Sequence, residues 1–396
     1  GDSMREMQGN WRDIFMAFRV ALDPKKLLLC FLGLALSFFL TVMLLMIVGK
    51  AIDPNLNLST WEFGFRAWFC ANCDAIYQGP PVTWSLFTLV LVVLNSLFWS
   101  YFGGATTRLA ALQVTKDESL ELDKAMKFSN RKYSSYFWSI GACVAGFLFF
   151  MLVVSAVSLL GAIPWYIGDV LSIFLMLLYP LAVLAGFLMT LIAIGTVFGS
   201  PLFYPAISAE GTDAFDAISR GFGYVYTRPW QYVAYQLVAL GHGIVSVGFV
   251  YLFGWLMLTF TNASGFSMGD TFHNITFIWI QAPESNLQAF AGYIYAFWYS
   301  LVAGLVLAYG LSYFFSAQTI IYFLLRKKVD GIEVNEVYEE KEELPSNLPP
   351  EAPAPQAGAP AAAPAAAPAA SAPPAGPEGT PAPPAPSAPP PTGSGS

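Results

Sequence analysis

Six long, nearly uncharged apolar stretches constrain this chain more than anything else in it. They cover approximately residues 27–49, 82–103, 136–163, 170–199, 232–260 and 290–325. A helix needs about 20 mostly apolar residues to cross roughly 30 Å of hydrocarbon, and lipid offers no partner for an open backbone N–H or C=O. The expected fold class is therefore all-α, a polytopic transmembrane helical bundle of six spans. Pro180 lies inside the fourth stretch, where a spanning helix bends more often than it ends. One bent helix is expected there.

Charge then predicts sidedness. Of the 19 Lys and Arg residues, 17 fall in the N-terminal arm, in the segments after the second and fourth stretches, or after the sixth, and only Lys50 and Arg66 fall between the others. Basic residues are retained on the cytoplasmic side. Both termini are thus expected in the cytoplasm, with the protein a multi-pass component of a bacterial inner membrane and the lipid bilayer as its first partner. Trp84, Trp99, Trp138, Trp165, Trp230 and Trp298 stand near the ends of the stretches, where interfacial aromatic belts occur. A net charge of −7 with only 11% charged residues leaves no basic footprint for nucleic acid.

Each odd-numbered stretch is preceded by a short amphipathic segment. In the first, Trp11, Ile14, Phe15, Phe18 and Leu22 follow helical spacing, with Asn10 and Asp13 placed as a cap. The second carries Leu122, Ala125 and Met126 on one face, and Lys124, Lys127 and Arg131 on the other. The third carries Phe215, Ile218 and Phe222, capped by Thr212 or Asp213. Such helices are expected to lie in the headgroup plane with the apolar face toward lipid. Three similar entries suggest three repeated helical hairpins.

The last part of the chain has a different composition. Acidic residues dominate 326–344, and residues 345–396 hold 18 of the 28 prolines among Ala, Gly and Ser. A segment of this kind cannot bury enough apolar surface to offset its ordering entropy. The expected organisation is an arm with an interfacial helix (1–26), a six-helix domain (27–325), an acidic segment (326–344) and a disordered Pro/Ala-rich tail (345–396). The tail is either an inert solubilising extension or a tether for a cytoplasmic partner.

Candidate chemistry is sparse. Cys70 and Cys73 form a C-A-N-C pair in the first external loop, a spacing that suits a loop-tightening disulfide, a redox pair or half a metal site. His242, between Gly241 and Gly243, and Asn95 form a possible intramembrane polar site. The flanking glycines suit close helix contact equally well, and Asn95 suits an interhelical hydrogen bond. Gly195 and Gly199 make one GxxxG. No Asp, Glu, Lys or Arg is expected deep in a span, and no Walker A, HExxH or GxSxG motif occurs. An enzyme is not expected, nor a cofactor or a metal centre. Three N-x-S/T triplets, at Asn57, Asn262 and Asn274, fall on the external side.

Three segments carry a resemblance. GGATTRLAALQVTKDESLELDKAMKFSNRKY, PAISAEGTDAFDAISRGFGYVYTRPWQY and IYFLLRKKVDG together resemble an uncharacterised bacterial family of six-span membrane proteins, over about residues 10 to 335. Arg108, Arg220 and Pro229 match its pattern as architecture, and the resemblance implies no activity. Glu210 to Pro229 is also similar to the coupling loop of ABC-type permeases, without that loop's spaced Gly and apolar-Pro ending. That likeness implies that Ile218 and Phe222 insert into an ATPase groove.

The functional expectation is a non-enzymatic scaffold or accessory subunit that associates with other membrane proteins. Two alternatives stand beside it. One is a permease or channel subunit for an uncharged or lipid-like substrate, with His242 and Asn95 lining the path. The other is a thiol-redox protein using Cys70 and Cys73.

Overall fold

Every regular element is helical among the described residues, which in this computed structural model are 7–49, 81–116, 120–159, 166–261 and 286–338. They all belong to one compact unit, Gly1–Glu339. The loop with Cys70 and Cys73, the three N-x-S/T triplets and the Pro/Ala-rich tail lie outside the described residues.

A 3₁₀ turn, Trp11–Met16, leads into α1 (Ala17–Ala21), and Asp23 caps α2 (Pro24–Leu44), which ends in a π turn. There follow α3 (Pro81–Lys116), α4 (Leu122–Arg131), α5 (Tyr133–Leu159), α6 (Tyr166–Leu177), α7 (Tyr179–Glu210), α8 (Ala214–Thr227), α9 (Pro229–Thr261) and α10 (Asn286–Val329). Six helices are long and apolar enough to cross a membrane: Pro24–Val48, Leu89–Lys116, Tyr133–Leu159, Tyr179–Glu210, Pro229–Thr261 and Phe297–Val329. Large apolar side chains cover their outward faces, Leu152 and Ile244 being 63% and 67% exposed. Such a surface is costly in water and neutral in hydrocarbon. Together these features suggest a multi-pass membrane protein.

Two expected boundaries are corrected. The fourth stretch is not one bent helix over 170–199. The chain breaks at Leu178, where Pro180 has no N–H to bond back to the preceding turn, and a new helix runs on through Pro201 and Pro205 to Gly211, whose φ of 64° ends it. The second stretch likewise does not stop at Gly103 but continues as helix to Lys116.

These continuations build the core. α3, α7 and α10 all touch one another, and their C-terminal parts supply Ala105, Leu109, Leu202, Phe203, Ile207, Ala308, Ile320 and Phe323, all buried. Around this triangle, α2 packs on α3, α5 on α7 and α9 on α10. The packed end is also the basic end, because the N-terminal arm meets the end of α10 there, with Gly9 beneath the Lys327 side chain.

The entry helices each bury one face on protein and leave another exposed. Each runs back antiparallel along the protruding end of an inner helix and buries its inner face on protein. α8 returns along α7: Arg220 pairs with Glu210, the Phe222 ring fills the space over Gly195 and Gly199, and the Tyr226 hydroxyl donates to the Leu191 carbonyl at 2.7 Å. α4 returns along α3, where the Ser129 hydroxyl donates to the Tyr101 carbonyl at 2.6 Å. The N-terminal arm does the same for α10, from Gly9 at Lys327 to Ala21, whose carbonyl accepts from Ser312 at 2.8 Å. The same hairpin thus occurs three times, and the beginning of the chain completes the last one.

The residues of the expected stripes divide between the two faces. In the arm, Ile14, Ala17, Val20 and Ala21 are buried, whereas Trp11, Phe15 and Leu22 are exposed and Phe18 is half-buried against the core. In α8 the buried face is Ala214, Ala217, Gly221, Tyr224 and Val225, with Phe215 73% exposed and Ile218 half-buried. α4 buries Ala125, Phe128 and Ser129, with Leu122 and Met126 packed beside them. Small residues let helices approach closely, so they mark the contact face where large apolar groups do not.

Candidate functional site: a polar clamp at the basic end

The ends of α7 and α10 carry opposite charges that meet. Glu210 accepts from Arg220 Nη2 at 2.8 Å and from the Tyr322 hydroxyl, and Arg326 Nη1 lies 3.6 Å from it. Arg220 also reaches Asp216 at 3.1 Å and Asp330 at 3.7 Å, and the Tyr224 hydroxyl donates to Asp330. α7, α8, α10 and the residues after α10 are thereby joined. The Arg326 side chain is only 3% exposed and that of Glu210 13%, so each charge depends on the other in a region that water barely enters.

The same environment shifts the peripheral groups. Burial, followed by the hydrogen bond to Asp330 and its charge, raises the Tyr224 pKa well above the ordinary phenol value. For Arg220, desolvation pulls downward, but charge interactions with Tyr322 and Glu210 and the contact with Asp216 outweigh it and raise the pKa. Both groups keep their protons across the physiological range.

A second layer centres on Arg108, 4% exposed. Its two terminal nitrogens donate to the Ser208 carbonyl at 2.6 Å and the Tyr338 carbonyl at 2.8 Å, and its guanidinium lies 4.3 Å over the Phe128 ring. Beneath it, the Ser208 hydroxyl meets Thr107 at 2.6 Å and Tyr136 at 2.7 Å. The chain after α10 closes over both layers. Gly331 reverses it with a φ of 71°, Arg326 Nη2 donates to the Glu333 and Glu336 carbonyls, and the Tyr338 amide donates to Ala209 at 2.7 Å. Val334 is buried, and the Tyr338 ring covers Gly211. The result is a strap, residues 330–338, fastened by main-chain and guanidinium bonds.

Charged groups are therefore buried near the ends of the spanning helices. Arg108 lies within its spanning helix, and Lys26 is fully buried near the start of α2, donating to Gln113 Oε1 at 2.5 Å. Arg108, Arg220 and the other basic groups looked like ordinary retained positive charge. Nothing in the sequence distinguishes that from a buried, partnered charge.

The other sequence candidates separate. Asn95 hydrogen-bonds to Ser37, Thr41 and the Leu91 carbonyl, which joins α3 to α2. His242 Nδ1 lies 3.0 Å from the Tyr313 hydroxyl, and the Tyr313 ring occupies the space over Gly243. Asn95 and His242 thus belong to two clusters with no shared partner, one between α2 and α3, the other between α9 and α10. Phe222 is committed to Gly195 and Gly199 and is not presented as an inserting side chain. Cys30 and Cys143 are buried free thiols, and no group of three His, Cys, Asp or Glu able to hold a metal occurs among the described residues.

Compared with protein-family models, curated proteins and solved structures, the chain has no match. The likenesses to a six-span bacterial family and to a permease coupling loop gain no support from these comparisons.

Proposed function

We propose that this is a non-enzymatic integral membrane protein that acts as a scaffold, holding a cytoplasmic tether on a rigid six-helix mount and associating with other membrane proteins. Both termini face the cytoplasm of a bacterial inner membrane, the orientation that 17 of 19 basic residues at one end favour. The observation that carries the reading is the strap. Arg108, Arg326 and the Tyr338 amide fix the path of the acidic segment just before the Pro/Ala-rich sequence begins. A disordered tether captures a partner at an effective concentration set by its length and by a fixed point of departure.

The test is purification of the full chain in native nanodiscs, alongside a variant lacking 345–396 and the strap-release variant Arg108→Ala, with mass spectrometry of what co-elutes. A protein retained in stoichiometric amount by the full chain, lost on truncation and weakened by Arg108→Ala, is expected. A solitary protein carrying a stoichiometric small molecule overturns the scaffold reading in favour of transport. Site-specific labelling of single cysteines placed in the strap and in the α2–α3 loop checks the orientation, the strap being reactive only from the cytoplasmic side.

A further inference from the structure

Where the N-terminal arm crosses α9, the side of the bundle has a shallow, open cavity of about 280 Å³ lined by Phe18, His242, Val245, Ser246 and Phe249. It opens laterally, toward the exposed apolar faces of Val245 and Phe249, which are 71% and 61% exposed. The exposed Phe15 ring forms one edge, 4.9 Å from the His242 ring in a T-shaped contact.

The hydrogen-bond directions around His242 determine which atom it offers. The Tyr313 hydroxyl has a single proton and donates it to the Ala239 carbonyl at 2.8 Å, a group that can only accept. The same hydroxyl oxygen lies 3.0 Å from His242 Nδ1, so Nδ1 is the donor in that contact. In the neutral ring Nε2 then carries a lone pair, and it has no hydrogen-bond partner among the described residues. The Ser246 hydroxyl is already committed to the Gly243 carbonyl at 3.2 Å. Hydrocarbon cannot satisfy an open acceptor, which is costly to leave unpaired there.

We propose that this cavity binds the hydroxyl end of a single-chain membrane alcohol, its O–H donating to His242 Nε2 and its chain lying along Phe18, Val245 and Phe249. The chemistry of the lining selects this class. A lone neutral acceptor on an apolar lining suits a hydroxyl donor, and the opening onto the exposed Val245 and Phe249 faces lets one chain lie along the bundle. The assignment of Nδ1 as the donor makes the site a reader of hydroxyl donors rather than of ethers or esters.

The experiment uses the full chain in nanodiscs and two photoreactive probes, a diazirine-bearing octadecanol and its methyl ether. Labelled peptides are mapped by mass spectrometry. The alcohol is expected to label residues around Phe18 and Val245 roughly five-fold more than the ether, the loss that one unmade hydrogen bond produces. His242→Phe removes that preference, and Val245→Trp, which fills the cavity and leaves the His242–Tyr313 bond intact, abolishes labelling by both probes. Equal labelling by the two probes in the parent protein, or a preference that survives His242→Phe, overturns the proposal, as does labelling unaffected by Val245→Trp. These outcomes do not depend on the tail and are distinct from failure of the scaffold reading.

Discussion

The two ends of the bundle are held by different forces. At the basic end, three inner helices and three returning entry segments bury Arg108, Glu210 and Arg326 with phenols, hydroxyls and main-chain carbonyls. At the other end, α5, α6 and the first half of α7 present Leu152, Ile173, Leu177 and Leu184 outward, each more than half exposed. Lipid solvates the second region as well as protein does, so there is little hydrophobic gain in closing it. Uniqueness of the fold therefore rests on the first region, where polar groups must find particular partners.

Substitutions that separate the two regions test this directly. The largest effect is expected at the clamp: Glu210→Ala removes the carboxylate shared by Arg220, Arg326 and Tyr322, and should lower unfolding free energy by about 2–3 kcal/mol. Denaturant unfolding in detergent micelles, followed by tryptophan fluorescence, measures it. A loss under about 1 kcal/mol would place the clamp among exposed pairs and dissolve the contrast. Asn95→Ala removes the α2–α3 hydrogen bonds and should cost about 1 kcal/mol by the same measurement, in line with single interhelical bonds in membranes. Ile173→Ala should change stability by less than about 0.5 kcal/mol, and a larger loss would mean that this face has a protein neighbour rather than lipid.

The alkaline limb sharpens the same comparison. Because burial raises the Tyr224 pKa above its ordinary value, its contribution is complete below about pH 10 and is lost as pH climbs through the raised folded value. Tyr224→Phe should flatten that part of the stability profile and leave the neutral range only slightly lowered. Unchanged alkaline sensitivity would assign it to another tyrosine.

Much of the bundle was legible in the sequence. Lipid-facing positions must be apolar over a fixed length, which is why the six stretches match six helices, and the Asn10–Asp13 cap forms as spaced, with Asp13 accepting from the Gly9 and Asn10 amides at 2.8 and 3.0 Å. The entry segments were legible as helices, but not the face that packs on protein, since hydrophobic periodicity follows Phe15 and Phe215 while contact follows Ala17, Ala217 and Gly221. The clamp was not legible. Arg220 and Arg326 satisfy the positive-inside pattern whether they face solvent or Glu210, and only the fold decides between the two. Gly195 and Gly199 signalled a close approach, but the aromatic ring that fills it comes from Phe222 on the next entry helix, not from another span.

The third hairpin is closed by the arm at residues 11–21 lying along α10, and this sets an order of events. The arm precedes its partner helix by five spanning helices, so its buried face of Ile14, Ala17 and Val20 waits uncovered until α10 has been made. The bundle locks only once α10 is in place. Arrival of α10 then buries the arm and brings the strap and both halves of the charged clamp into register in a single late step.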